Sequence, residues 1–96
     1  MVIDVLSALA EPTRLSALRI LADGGEHCVC ALMRACGASQ SRMSRHMAVL
    51  KAAGLVVDRR DAQWVRYRLN PALDAETLAL LDAAVACAKA NERRAA

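Results

Sequence analysis

Aromatic residues are almost absent from this sequence, which contains no phenylalanine, one tryptophan and one tyrosine. An aliphatic core is therefore expected, with methionine and cysteine filling the irregular gaps. The sequence also lacks an uncharged apolar run of the roughly 18 residues that a membrane helix needs, and its start lacks the pattern of a secretion signal. These absences predict a cytoplasmic protein that does not enter the membrane.

The length of 96 residues suits one small domain, and we predict a single domain over residues 1–96. A chain of this length buries only about two-thirds of its unfolded surface, so a second copy would add stability that a monomer lacks. Apolar residues make up 56% of the chain, and the abundant leucine and alanine favour helices. The composition therefore predicts a helical domain that forms a dimer.

Positive charge is concentrated in the middle of the sequence. Between residues 34 and 68 there are eight basic residues and two acidic ones, although the net charge of the chain is only +3. A basic region between ends of mixed charge is expected of a surface that binds phosphates. The alternative is a basic face that contacts only water.

Helical periodicity and capping signals divide the first half of the chain into four segments. The third and fourth segments, joined by a short turn at Gly37, form a candidate helix-turn-helix. The signals predict a helix that ends near Ala10, a helix from Pro12 to Gly24 and Gly25, a helix over residues 28–36, and a helix that is capped by Ser39 or Ser41 and ends at Gly54.

The period changes to two after residue 54. Residues 55–60 and 64–69 read as two short strands, with the alternation clearest in the second, and they flank turn residues at 61–63, which predicts a β-hairpin. A basic hairpin directly after a helix-turn-helix is a wing. In its second strand, one face should hold Val65, Tyr67 and Leu69, and the other Trp64, Arg66 and Arg68.

A last helix is predicted from a cap at Asp74 to about Asn91, and its apolar face is too broad for the surface of a monomer. We expect this helix and the first one to pack across a two-fold axis, which places the DNA-reading helices of two copies on one duplex. The alternative is a helix that packs within its own chain. The predicted fold class is mainly α with a β-hairpin wing, a winged helix-turn-helix of order α-α-α-α-β-β-α that forms a homodimer.

The fourth helix has the pattern of a DNA-reading helix. Its apolar stripe includes His46 as a hydrogen-bonded core histidine, whereas its opposite side is small, polar and basic, so that it can approach the floor of the major groove. Two of the four wing arginines at residues 59, 60, 66 and 68 are expected to touch phosphates. The predicted contacts to double-stranded DNA are Gln40, Ser41, Arg42, Ser44, Arg45, Arg59, Arg60 and Arg66.

Cys28 and Cys30 form a closely spaced pair at the start of the third helix, and we expect them to be reduced thiols that bind a soft ion. Residues two apart on a helix are separated by about 200°, so the first turn would have to open before both sulfurs could reach one ion. Trivalent arsenic or antimony suits two or three thiolates, whereas zinc and cadmium usually take four ligands. Cys36, Cys87, an external thiol or no group at all could complete the site. The alternative is a pair of structural cysteines.

With these residues in place, the sequence resembles the ArsR/SmtB family of metalloregulatory repressors, in its arsenic- and antimony-responsive branch. The resemblance rests on residues 9–15, 26–32, 39–46, 50–55 and 64–69. It implies a non-enzymatic, homodimeric repressor without an organic cofactor, which leaves its operator when As(III) or Sb(III) binds Cys28 and Cys30. The third cysteine of many relatives falls on Met33, and the wing turn lacks the usual glycine.

Two other functions remain open at this point. A repressor that responds to oxidants or reactive sulfur would form a disulfide from Cys28, Cys30 or Cys36 to Cys87. A small thiol metallochaperone or redox enzyme would have no role on DNA.

Overall fold

Five helices and three short strands form the part of the chain described by the computed structural model, which covers residues 2–95 and the side chains of residues 2–92. Met1 and Ala96, the ends of the predicted domain, lie outside the described residues. The elements are α1 (Val2–Leu9), α2 (Pro12–Leu21), β1 (His27–Cys28), α3 (Val29–Cys36), α4 (Gln40–Ala52), β2 (Val56–Asp61), β3 (Trp64–Leu69) and α5 (Ala75–Ala95).

The strands form one antiparallel sheet in the order β1-β3-β2. The predicted hairpin is confirmed as β2 and β3, and Ala62 takes a positive φ of 56° in its turn, where glycine would be the usual residue. The short strand β1 was missing from the predicted order, because two residues cannot show a period of two. The observed order is α-α-β-α-α-β-β-α.

The helix boundaries differ from the prediction at two functionally relevant places. The second helix ends at Leu21, and a turn with Gly24 at a φ of 83° leads into β1. The third helix begins at Val29 and leaves Cys28 outside it. Of the two candidate caps, Ser39 caps α4, and its hydroxyl accepts a hydrogen bond from the backbone N–H of Arg42 at 3.3 Å.

The core is aliphatic, as the scarcity of aromatic residues predicts, and Tyr67 is the only aromatic side chain buried among the described residues. No polar or charged residue in this part of the chain is buried. Every helix contributes buried side chains to the core, so the helix-turn-helix packs on one continuous hydrophobic cluster. Its largest fully buried side chains are Leu18, Leu21, Leu32, Met43, Met47, Leu50, Leu55, Leu81 and Val56.

The two terminal helices both pack on this core and leave apolar side chains outside it. On α5, Leu81 and Val85 are buried, so part of that helix serves its own chain, whereas Leu78 is 40% exposed. On α1, Ile3 is 67% exposed and Leu6 is 43% exposed. None of the helices within residues 2–95 is long and apolar enough to cross a membrane.

Candidate thiol site and nucleic-acid interface

Cys28 lies at the junction of a strand and a helix. It is the last residue of β1 and the N-cap of α3, with an extended backbone at φ −66° and ψ 146°. Because an N-cap side chain folds back over the first helical turn, the Cys28 sulfur accepts a hydrogen bond from the backbone N–H of Cys30 at 3.4 Å. The thiol therefore closes the N-terminus of α3.

The same geometry brings the two thiols together. The Sγ of Cys30 donates to the Sγ of Cys28 at a distance of 2.7 Å, longer than the roughly 2.05 Å of a disulfide bond, and both cysteines are free. The expectation that the two sulfurs lie on opposite sides of an intact helix is wrong, since Cys28 is not a helical residue. Both sulfurs reach one point while α3 remains complete.

The two thiols differ in acidity because the Cys30 thiol donates a hydrogen bond to the Cys28 sulfur. The hydrogen bond from the Cys30 thiol, followed by backbone N–H groups and the charge of Arg66, lowers the pKa of Cys28. The reciprocal bond raises the pKa of Cys30. Cys28 therefore ionises first, at a helix N-terminus that favours a negative charge.

A soft ion fits the donor set with a small adjustment. Two sulfurs bound to one ion at about 2.3 Å lie roughly 3.3–3.8 Å apart for bond angles of about 90–110°. The observed separation of 2.7 Å would therefore have to increase by roughly 0.6–1.1 Å.

No third protein ligand accompanies the pair within residues 2–92. Within the described residues there is no cluster of three or more His, Cys, Asp and Glu side chains that could hold a metal ion. Met33 packs against the core, and burial raises the pKa of Cys36, which disfavours its thiolate. Cys87 is exposed on α5.

The thiol pair is joined to the wing through the sheet. In the pairing of β1 with β3, Cys28 lies opposite Arg66, and directly opposed residues share one face. Arg66 in turn lies opposite Arg59 on β2. Glu26, two residues before Cys28, accepts two hydrogen bonds from the Arg59 guanidinium at 2.7 and 2.8 Å. Sequence analysis did not find Glu26, because its partner is 33 residues away.

The predicted reading face of α4 is exposed. Gln40 is the first residue of the helix, and the side chains of Ser41, Ser44 and Arg45 are open to solvent, as is Arg42 on the flank. The inward stripe is also as predicted, since Met43, Met47 and Leu50 are fully buried. DNA contacts by these residues remain predictions.

The wing arginines predicted to meet DNA do not form one cationic face. Arg59 is held by Glu26, and the Nε of Arg66 donates to Asp61 at 2.9 Å. Arg60 lies opposite Val65 and projects from the other face of the hairpin. Arg68 shares the face of Arg66, and neither Arg60 nor Arg68 has an ion-pair partner within the described part of the chain.

A polar cluster that the sequence did not reveal joins α4 to the first two helices. Arg14 donates to the carbonyls of Ala8 at 2.7 Å and Ser7 at 3.2 Å at the end of α1. Its guanidinium also lies 3.3 Å from Nδ1 of His46, whose side chain is 19% exposed. His46 is thus a hydrogen-bonded residue at the edge of the core. Glu11, the N-cap of α2, completes the cluster 3.6 Å from His46.

Comparison with known proteins agrees with this architecture. The profile of the bacterial regulatory proteins of the arsR family matches residues 11–57. The chain is 50% identical to the arsenic resistance transcriptional regulator ArsR2 of Pseudomonas putida over 73% of its length and 61% of that protein. It is 41% identical to the arsenical resistance operon repressor of Escherichia coli over 88% of its length and 73% of the repressor.

The chain belongs to the ArsR family. Its fold is similar to that of the homodimeric winged helix-turn-helix DNA-binding domain Mb0332 of Mycobacterium bovis, with a TM-score of 0.75 at 30% identity over 97% of this chain and 82% of that domain. The chain thus spans about three-fifths of the P. putida regulator but most of the solved domain.

Membership in the ArsR family accounts for the helix-turn-helix and the wing. The profile also covers Cys28 and Cys30, at residues 11–57. The contacts of Glu26 and Arg14 were not apparent from spacing alone, since each depends on a partner that only the folded sheet or bundle brings close.

Proposed function

We propose that this chain represses a metalloid-resistance operon as a cytoplasmic homodimer. It binds operator DNA through α4 and the wing, and it releases the DNA when Cys28 and Cys30 bind trivalent arsenic or antimony, inorganic or methylated. The observation that carries the proposal is the 2.7 Å contact between two thiols at the N-cap of the helix preceding the reading helix. The relatives named for arsenic resistance support it.

The chemistry of the donors favours a trivalent metalloid. Thiolates are soft ligands, and the lowered pKa of Cys28 favours ionisation of the sulfur that would form the first bond, with the Cys30 sulfur beside it for the second. Zinc or cadmium would usually require four ligands, and residues 2–92 provide no cluster of even three. An organic cofactor has no part in this proposal.

The signal can pass from the thiols in two directions because Cys28 belongs to two elements. Separation of the sulfurs by roughly 0.6–1.1 Å withdraws the acceptor from the Cys30 N–H at the start of α3. It also displaces the residue that pairs with Arg66 on the wing. Leu32 of α3 and Met43 and Met47 of α4 lie in the same buried cluster, so a shift of α3 is transmitted to the reading helix.

DNA binding is assigned in this proposal to the exposed face of α4 and to the wing. Small side chains at Ser41 and Ser44 allow close approach to the bases, and Arg45 can reach a guanine edge. Gln40 at the helix N-terminus can donate to an adenine or a phosphate. The contacts assigned to phosphates are Arg42, Arg59, Arg60 and Arg66, of which Arg59 and Arg66 must exchange a carboxylate partner for a phosphate.

A mobility-shift titration on the promoter upstream of the chain's own gene tests the proposal. The Cys28→Ser/Cys30→Ser variant should bind the DNA as the unchanged protein does and should fail to release it when arsenite or antimonite is added. Cys87→Ser is the matched control, because that thiol is exposed on α5, and it should release normally.

Release of the double variant by arsenite at an unchanged concentration would contradict the proposal. Release by mild peroxide together with a new disulfide in the mass spectrum would favour the oxidative alternative instead. DNA association that is weak and insensitive to salt would indicate a thiol metallochaperone or redox enzyme, because a repressor that neutralises phosphates shows a steep salt dependence.

A further inference from the structure

Two arginines neighbour the thiol pair, one on β3 and one on α3. Arg66 faces Cys28 across the pairing of β1 with β3, on the same side of the sheet. Arg34 follows Cys30 by four residues on α3, so it lies one turn further along the same side of the helix.

These two guanidiniums have donors to spare. Arg34 is exposed and has no ion-pair partner among the described residues. Arg66 uses its Nε on Asp61, which leaves its terminal amino groups available. The acidic residues nearest in sequence to the thiols are already engaged, because Glu26 is bound to Arg59 and Asp23 to His27.

We propose that the trivalent ion bound by Cys28 and Cys30 takes its third bond from an external low-molecular-weight thiol that carries carboxylates, and that Arg34 and Arg66 bind those carboxylates. This inference rests on the proposed function, because it concerns the inducer of the same site. The inducer would then be a complex of the metalloid with an anionic thiol.

The balance of charge favours a carboxylate-bearing thiol over a neutral one. Three thiolates neutralise a trivalent ion, so the sulfur-bound ion has no net charge left for the two guanidiniums. Carboxylates on the third ligand would supply the negative charge that the two guanidiniums need. An arginine can hold a carboxylate through two parallel charge-assisted hydrogen bonds. A third protein thiolate would leave both arginines facing a neutral group.

Formation of the complex requires no oxidant or reductant. Starting from arsenous acid, three arsenic–oxygen bonds are replaced by three arsenic–sulfur bonds, two to the protein and one to the external thiol. The three thiol protons combine with the three departing hydroxides, and three molecules of water leave. Arsenic stays trivalent throughout, and each sulfur keeps its oxidation state.

The test compares thiols of different charge on the full chain without DNA. Arsenite is titrated in the presence of glutathione, 2-mercaptoethanol or cysteamine, and binding is followed by native mass spectrometry and by the fluorescence of Trp64, the single tryptophan, which shares a strand and a face with Arg66. We expect one glutathione retained per arsenic and protein chain, and affinity about tenfold higher with glutathione than with cysteamine.

The Arg34→Gln/Arg66→Gln variant should lose this preference and still bind phenylarsine oxide, whose arsenic needs only two thiols. Lys89→Gln, at an exposed position on α5, is the control for loss of a positive charge on another element and should keep the preference. Circular dichroism verifies that each variant is folded.

Equal affinity with all three thiols, or arsenic bound without an external thiol, would overturn the inference and leave the proposed function intact. Failure of the unchanged chain to bind phenylarsine oxide through Cys28 and Cys30 would instead overturn the proposed function, and the inference with it.

Discussion

Cys28 combines three roles in one side chain. It ends the strand that pairs with the wing, it caps α3, and its sulfur accepts a hydrogen bond from the Cys30 thiol. A cysteine at a helix N-terminus with a hydrogen-bond donor beside it is expected to be the reactive member of a pair. The pair therefore has an order, in which Cys28 reacts first as a thiolate and Cys30 follows.

Variants of Cys30 test this order. Cys30→Ala removes the side-chain donor, so the pKa of Cys28 should rise towards its ordinary value, whereas Cys30→Ser keeps a hydroxyl donor and should preserve most of the lowering. The measurement is the rate of iodoacetamide alkylation of Cys28 against pH, read by mass spectrometry. The midpoint should move to higher pH in the alanine variant, and identical midpoints in the two variants would show that the Cys30 thiol does not stabilise the Cys28 thiolate.

The identity of the thiols could be predicted from the sequence, but their geometry could not. The sequence shows the Cys-x-Cys spacing, and it shows Met33 in place of a third cysteine. The helix could begin at Cys28, or one residue later with Cys28 as its cap. Periodicity does not resolve a helix boundary to one residue. That one position decides whether the sulfurs diverge by about 200° or meet at 2.7 Å.

At the scale of elements, the strand β1 connects the thiol site to the wing. Its two residues pair with β3, and the preceding Glu26 holds Arg59 of β2. Arg59 is thus engaged within the protein on the face that also carries Arg66. DNA and Glu26 would compete for the same guanidinium, so a shift of β1 can alter how readily the wing meets phosphate.

Replacement of Glu26 tests this competition. Glu26→Gln removes the charge that holds Arg59, so that the arginine is free for phosphate, and operator affinity at low salt should increase. The slope of log affinity against log salt should become steeper by about 0.9 for each added phosphate contact. The measurement is fluorescence anisotropy over a salt series. Glu76→Gln on α5 is the control for the change in net charge, and an equal effect in both variants would count against competition.

Elements with enough length to show a period were predictable, and those defined by a distant partner were not. The hairpin and the stripe of α4 follow from alternation and from helical spacing, and the structure confirms both. Strand β1 exists because His27 and Cys28 pair with Tyr67 and Arg66, which follow them by 40 and 38 residues, and no local pattern encodes that pairing. The same holds for Arg14, whose contact with His46 spans 32 residues.

At the scale of the whole molecule, the apolar surface left on α1 bears on assembly. Val2, Ile3 and Leu6 are exposed on a helix whose other side is buried in the core, and Leu78 is exposed on α5. Exposed apolar side chains grouped on terminal helices are expected at an interface between copies. Within one chain, Arg14 ties the end of α1 to α4 through His46, so the arrangement of two copies would also set the spacing of two reading helices.

A charge placed on α1 tests whether that helix forms the dimer interface. Ile3 is 67% exposed, so Ile3→Lys removes little from the core of one chain, but in a two-fold interface it would bring two like charges together where apolar groups should meet. We expect sedimentation velocity to show a monomer, and the salt slope of operator binding to fall to about half, because one copy contacts about half the phosphates. Ala35→Lys, at an exposed position on α3, adds the same charge elsewhere and should remain a dimer. A dimer that survives in the Ile3 variant would place the interface on another surface, and the proposed coupling of α1 to the spacing of the reading helices would then be lost.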